Sequence, residues 1–97
     1  MKTNKVVTFG EIMVRLGAPD YLKLVQSNSL DVSYAGAEAN VAVSLAHYGI
    51  STDYITCLPD NPIAEHCIME LRGHRVGVDH IQRSGKRMGI LYLETGS

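Results

Sequence analysis

The sequence predicts an α/β fold built on parallel crossovers, and three stretches carry that prediction. Residues 5–10 (KVVTFG) form a β-branched and aromatic run. Residues 37–48 place apolar side chains at helical spacing. Residues 51–58 (STDYITCL) return to strand character. Strand, helix and strand in that order is how two parallel strands are joined.

Taken in chain order, residues 5–10 read as a largely buried first strand ending in glycine. Residues 11–16 continue extended, and Gly17-Ala18-Pro19-Asp20 is a turn cluster. Leu30, Val32 and Tyr34 alternate with Asp31 and Ser33, as in a half-exposed strand. In 37–48, Val41, Leu45 and Tyr48 predict the buried stripe, with Ala42 and Ala46 beside it; Gly49 suits a left-handed helix stop. Leu58-Pro59-Asp60-Asn61-Pro62 leads to a second helix, with Asn61 as cap and Pro62 in its first position. Its stripe is Ile63, Cys67, Ile68 or Met69, and Leu71, with Gly73 and Gly77 bracketing its end. Residues 78–82 and 88–94 read as further strands. Two helices and five or six strands are few for a sheet covered on both faces, so the 97 residues read as part of something longer.

Composition excludes several classes. The chain is 45% apolar and 20% charged with net charge −1. That is too apolar for disorder and lacks the basic excess of a nucleic-acid binder. The basic residues between Arg83 and Arg87 read as a solvated loop. No run is long enough for a bilayer span, and the N-terminus does not read as a signal peptide. Cys57 and Cys67, without CxxC spacing, read as reduced structural thiols of a cytoplasmic protein.

The residues that suggest chemistry are few. At Ala35–Asn40 a small-residue turn opens directly into a helix. Free N–H groups at a helix start suit oxygen-rich ligands, Gly36 admits close approach, and Asn40 offers both donor and acceptor. Close helix–sheet packing would select the same small residues. Glu11 and Arg15 follow the first strand, where ligands bind in open α/β sheets; a surface ion pair is the alternative. Neither a GxxxxGK[ST] loop nor a GxGxxG after the first strand is present. The histidines at 47, 66, 74 and 80 are not paired at metal spacing and read as exposed.

Five stretches in order resemble the ribokinase-like carbohydrate kinases, and specifically the 2-keto-3-deoxygluconate kinases. They are residues 6–16 (VVTFGEIMVRL), 34–42 (YAGAEANVA), 58–63 (LPDNPI), 77–79 (GVD) and 87–94 (RMGILYLE). The resemblance implies the N-terminal part of a doubly wound fold, with a small β-sheet lid formed roughly within 12–34 and 88–94. It implies a small-molecule sugar or sugar acid as substrate, ATP and Mg as cofactors, and a homodimer through the lid. From the composition and the lack of a bilayer-length run, no nucleic-acid or membrane partner is expected. Gly36, Ala37 and Asn40 match the family's sugar-binding turn. Arg15 stands where relatives place a polar sugar contact, and Arg87 and Leu91 lie on the lid side of the sugar. Two positions depart from the pattern: Ala35 replaces a glycine, and Leu91 stands where close relatives place a tyrosine.

The catalytic aspartate and the ATP site of such kinases lie later in the chain, so no catalytic residue is expected among these 97. The expected activity of the whole protein is transfer of the γ-phosphoryl of MgATP to 2-keto-3-deoxygluconate. The alternatives are a fructokinase or other neutral-sugar kinase, and a non-catalytic binding or self-associating fragment.

Overall fold

The computed structural model describes residues 5–19, 23–85 and 87–93. In chain order it contains β1 (Val6–Phe9), β2 (Met13–Gly17), β3 (Asp31–Ala35), α1 (Ala37–His47), β4 (Thr52–Ile55), β5 (Cys57–Leu58), α2 (Pro62–Gly73), β6 (Gln82–Arg83) and β7 (Ile90–Leu93). A 3-10 turn, Leu24–Gln26, lies between β2 and β3.

The expected crossover is present. β1 and β4 pair in parallel, from Val6 opposite Thr52 to Phe9 opposite Ile55, and α1 lies on the connection between them. A second crossover follows through α2. Gly77 bridges Asp53 in parallel, and β5 pairs in parallel with β6. β2, β3 and β7 form a separate sheet in the order β3-β2-β7, antiparallel on one side and parallel on the other. Residues 13–17, 31–35 and 90–93 therefore build one small sheet, while β1 and β4 start another.

The core draws on both helices, on Tyr54 and Leu58 of β4 and β5, and on Ile12 and Val14 at the entry to the small sheet. Tyr54 is wholly buried, and its hydroxyl donates to the Gly10 carbonyl at 2.6 Å. Burial pushes this phenol above its ordinary pKa, because the phenolate would lose its water.

Four sequence expectations need correction. First, α1 buries Ala39, Ala42 and Ala46, and turns Val41 (49% exposed) and Tyr48 (84%) outward. Positions 39, 42 and 46 share one face at helical spacing, and methyl-sized side chains let the helix lie close on the sheet. Second, α2 buries Ala64, Cys67, Ile68 and Leu71, leaving Ile63 and Met69 exposed. Third, β1 is not buried: Phe9 is 73% exposed and Val7 49%. Thr8 points toward α1, donating to the Glu38 carbonyl at 3.1 Å, and Val7 and Phe9 alternate to the other face. Fourth, the strand expected at 78–82 is confined to Gln82–Arg83, preceded by a turn, and the last strand begins at Ile90. Glu94 and Asp20 lie outside the described residues.

The helix ends agree more closely with expectation. The Asn61 side chain accepts from the Ala64 N–H at 2.9 Å, with Pro62 beginning α2. Gly49 takes a left-handed φ of 83° after α1. At the end of α2, however, the left-handed residue is Arg75, with φ 67°, and Gly73 remains helical. The Val76 N–H closes the turn on the Leu71 carbonyl at 3.1 Å. A Cβ is disfavoured in this conformation, so Arg75→Gly is expected to raise stability by about 1 kcal/mol. Denaturant unfolding of the full-length protein checks this, and a loss of stability would contradict it.

Candidate functional site

The small sheet places polar and apolar residues on opposite faces. Ser33 of β3 and Leu91 of β7 both lie opposite Arg15 of β2, so these three share one face. The Arg15 Nε–H donates to Ser33 Oγ at 2.9 Å. That bond fixes the guanidinium plane and leaves its terminal nitrogens without a partner among the described residues. Arg15 makes no ion pair with Glu11. At the root of β7, Gly89 lies against Met13, with the Glu11 carboxylate nearby.

The opposite face is apolar. Val14, Leu16, Val32, Tyr34 and Ile90 look across to Ile63 and His66 of α2, enclosing a cavity of about 310 Å³. Arg87 lines this cavity. Arg15 and Leu91 are therefore together, and Arg87 is not with them.

The turn into α1 sits beside the sheet. Gly36 is the helix N-cap, and the Asn40 N–H donates to its carbonyl at 2.9 Å. A Cβ on Gly36 would stand 2.6 Å from the Glu11 carbonyl oxygen and 3.3 Å from Ile12 Cα. Its φ of −176° is ordinary extended backbone. Glycine is needed here because two backbones touch, which is the close-packing alternative that the small residues left open. Ala37 and Asn40 are exposed. The Asn40 side chain lines a cavity of about 220 Å³ with Ser33, Tyr34, Glu70 and His74. Ser33 thus links the two groups, holding Arg15 while lining the same cavity as Asn40.

Several residues that the sequence did not single out tie these parts together. The Tyr34 hydroxyl donates to the Ile63 carbonyl at 3.3 Å and lies 2.6 Å from His66 Nδ1, joining the small sheet to α2. Burial, then Cys67 and Glu70 nearby, push its pKa up to about 12, so it is a neutral donor. Arg83 is anchored rather than solvated. It donates to the Pro59 carbonyl at 3.1 Å and pairs with Glu65 at 3.0 Å and Asp60 at 3.2 Å, bracing the loop before α2. Cys67 is buried, which pushes its thiol up to about 11, so it packs as a neutral group. Cys57 is exposed beside Ser84.

Among the described residues no group of three or more His, Cys, Asp or Glu is arranged to hold a metal ion. Nothing among them offers a glycine-rich phosphate cradle either. They do not fit ATP or magnesium, and no catalytic step is assigned to them. No helix among the described residues is long and apolar enough to cross a membrane.

Comparison with known proteins bears on the fold and the family. The chain is 40% identical over 96 residues to the 2-dehydro-3-deoxygalactonokinase of Haloferax volcanii, covering 97% of this chain and 30% of that protein. The structure superposes on the crystal structure of 2-dehydro-3-deoxygluconokinase from Thermotoga maritima with TM-score 0.92 and 49% identity. That match covers 96% of this chain and 28% of the other. An uncharacterized sugar kinase from Pyrococcus horikoshii in complex with ATP matches with TM-score 0.80 and 26% identity, over 90% of this chain and 29% of that one. The chain thus spans about three tenths of the length of these relatives. The fold is that of ribokinase-like kinases over this part of the molecule. A model of the pfkB family carbohydrate kinases matches residues 3–97, and the chain belongs to that family.

Proposed function

We propose that the whole protein transfers the γ-phosphoryl of ATP to a hydroxyl of a sugar acid, with 2-keto-3-deoxygluconate as acceptor, and that residues 1–97 hold the acceptor. The observation that carries the acidic acceptor is Arg15. It is oriented by Ser33, its terminal nitrogens have no partner among the described residues, and it lies beside the turn that opens α1. A planar guanidinium fixed in this way matches a carboxylate with two parallel hydrogen bonds. Gly36 and Ala37 offer backbone N–H groups, and the exposed Asn40 amide offers a donor and an acceptor for hydroxyls.

ATP, when bound with magnesium, supplies the phosphoryl group. The part played by these residues is to position the acceptor and to exclude water from it. In this reading β2, β3 and β7 form the lid, and Leu91 contributes an apolar contact on its sugar side. Arg87, on the other face, does not reach the acceptor. That face carries Val32, Ile90 and Tyr92, each partly exposed, and a homodimer through the lid would cover them.

A coupled assay of the full-length protein with 2-keto-3-deoxygluconate, its galactonate epimer, fructose and ribose tests the reading. The acids are expected to show the higher kcat/KM. Faster turnover of fructose would favour the neutral-sugar alternative, which the missing hydroxyl at Leu91 would then explain.

A further inference from the structure

The histidines separate in sequence at 47 and 74 meet in space. His47 lies in the last turn of α1, and His74 is the C-cap of α2. His47 Nε2 and His74 Nδ1 are 3.0 Å apart, with ring centroids at 5.1 Å and planes inclined by 46°. Both residues are exposed and lie together on the rim of a surface depression with Gly49, Gly73 and Arg75. Neither takes part in the acceptor contacts described above, although His74 also reaches the edge of the Asn40 cavity.

Two neutral imidazoles at this separation can do one of two things. One can donate a ring proton to the other, which leaves a single proton between them. Or both can turn a lone pair to the same cation. Imidazole–metal bonds of about 2.0–2.1 Å place two cis nitrogens about 3 Å apart, which is the spacing seen here. The two rings reach this spacing from different helices, each held by its own backbone, so much of the ordering cost of a second ligand is already met. The partial negative charge at two helix C-termini favours a cation in the same place. Arg75 opposes it from the rim, but its side chain is exposed and well hydrated.

We infer that His47 and His74 form a two-imidazole chelate for a borderline transition-metal ion of the Cu²⁺, Ni²⁺ or Zn²⁺ class, bridging the C-terminal ends of α1 and α2. Binding moves the shared proton to the other nitrogen of its own ring, so both imidazoles bind as neutral ligands, and water fills the remaining coordination positions. Two nitrogen ligands and no carboxylate exclude magnesium and calcium from this place, so it is distinct from any nucleotide-linked metal.

Cu²⁺ is the probe for the test, on the full-length protein. One equivalent of Cu²⁺ at pH 7.5 is expected to give an electron paramagnetic resonance spectrum with coupling to nitrogens of two imidazoles, and to raise the Tm. His47→Gln and His74→Gln are expected each to weaken binding by about 10²-fold and to remove the second nitrogen coupling, because the second contact is intramolecular. Both side chains are exposed, so both variants should fold, and an unchanged circular-dichroism spectrum without metal would confirm that. A one-imidazole spectrum in the unaltered protein, or unchanged Cu²⁺ affinity in both variants, would overturn the inference.

Discussion

Gly36→Ala is expected to destabilise the protein by about 1–3 kcal/mol and to raise the acceptor KM. The added methyl would stand 2.6 Å from the Glu11 carbonyl oxygen, well inside contact distance. The obstacle is main chain, so no side-chain rotation relieves it. Either α1 moves away from the segment after β1, or that segment moves with the root of the small sheet. Overpacking of this kind costs about 1–3 kcal/mol where the surroundings cannot yield. Both movements shift Asn40 relative to Arg15, so the stability loss and the kinetic loss should appear together. Urea unfolding and acceptor saturation curves on the full-length protein measure the two. Unchanged values of both would mean that the contact between the two backbones is slack.

Arg15→Ala is expected to lower kcat/KM for 2-keto-3-deoxygluconate by about 10- to 150-fold. That range corresponds to losing a charged hydrogen-bonded contact of about 1.5–3 kcal/mol. Fructose, which has no carboxylate, should lose much less. Arg87→Ala should leave the acid kinetics within about twofold, because its side chain lines the cavity on the other face of the sheet. Equal losses for acid and neutral acceptors in Arg15→Ala would show that Arg15 serves the fold rather than the carboxylate.

These two expectations differ in how far the sequence foretold them. Arg15 stood out because of its place after a first strand, and the structure added the Ser33 bond that orients it. Gly36 stood out either as a place for a ligand or for close packing, and the structure adds the Glu11 carbonyl packed beside it. Local signals were read well. Asn61 and Pro62 begin α2, Gly49 ends α1, and the alternation at 30–34 marked β3. Hydrogen bonds and backbone angles within a few residues decide such features.

Long-range features were not legible. The side of α1 that faces the sheet depends on how close the helix can come, and the alanines won over the larger Val41 and Tyr48. The meeting of His47 with His74, and of Arg83 with Asp60 and Glu65, joins residues 18 or more positions apart. No spacing rule connects them. β1 looked buried because its composition is that of a core strand, yet burial depends on what lies against each face.

The contact between Gly36 and Glu11 has a mechanical consequence when taken with the Tyr54 bond. The three residues between β1 and β2 are held from one side by the Tyr54 hydroxyl on the Gly10 carbonyl, and from the other by the turn into α1. They form a fulcrum, and β2 is the arm that extends from it. A five-residue strand is about 17 Å long, so a tilt of about 10° at the fulcrum carries its far end through about 3 Å. The same tilt would move Arg15, midway along the arm, by about half as much. Two small contacts at Gly10 and Glu11 thus set where the small sheet, and Arg15 with it, stands relative to the turn into α1.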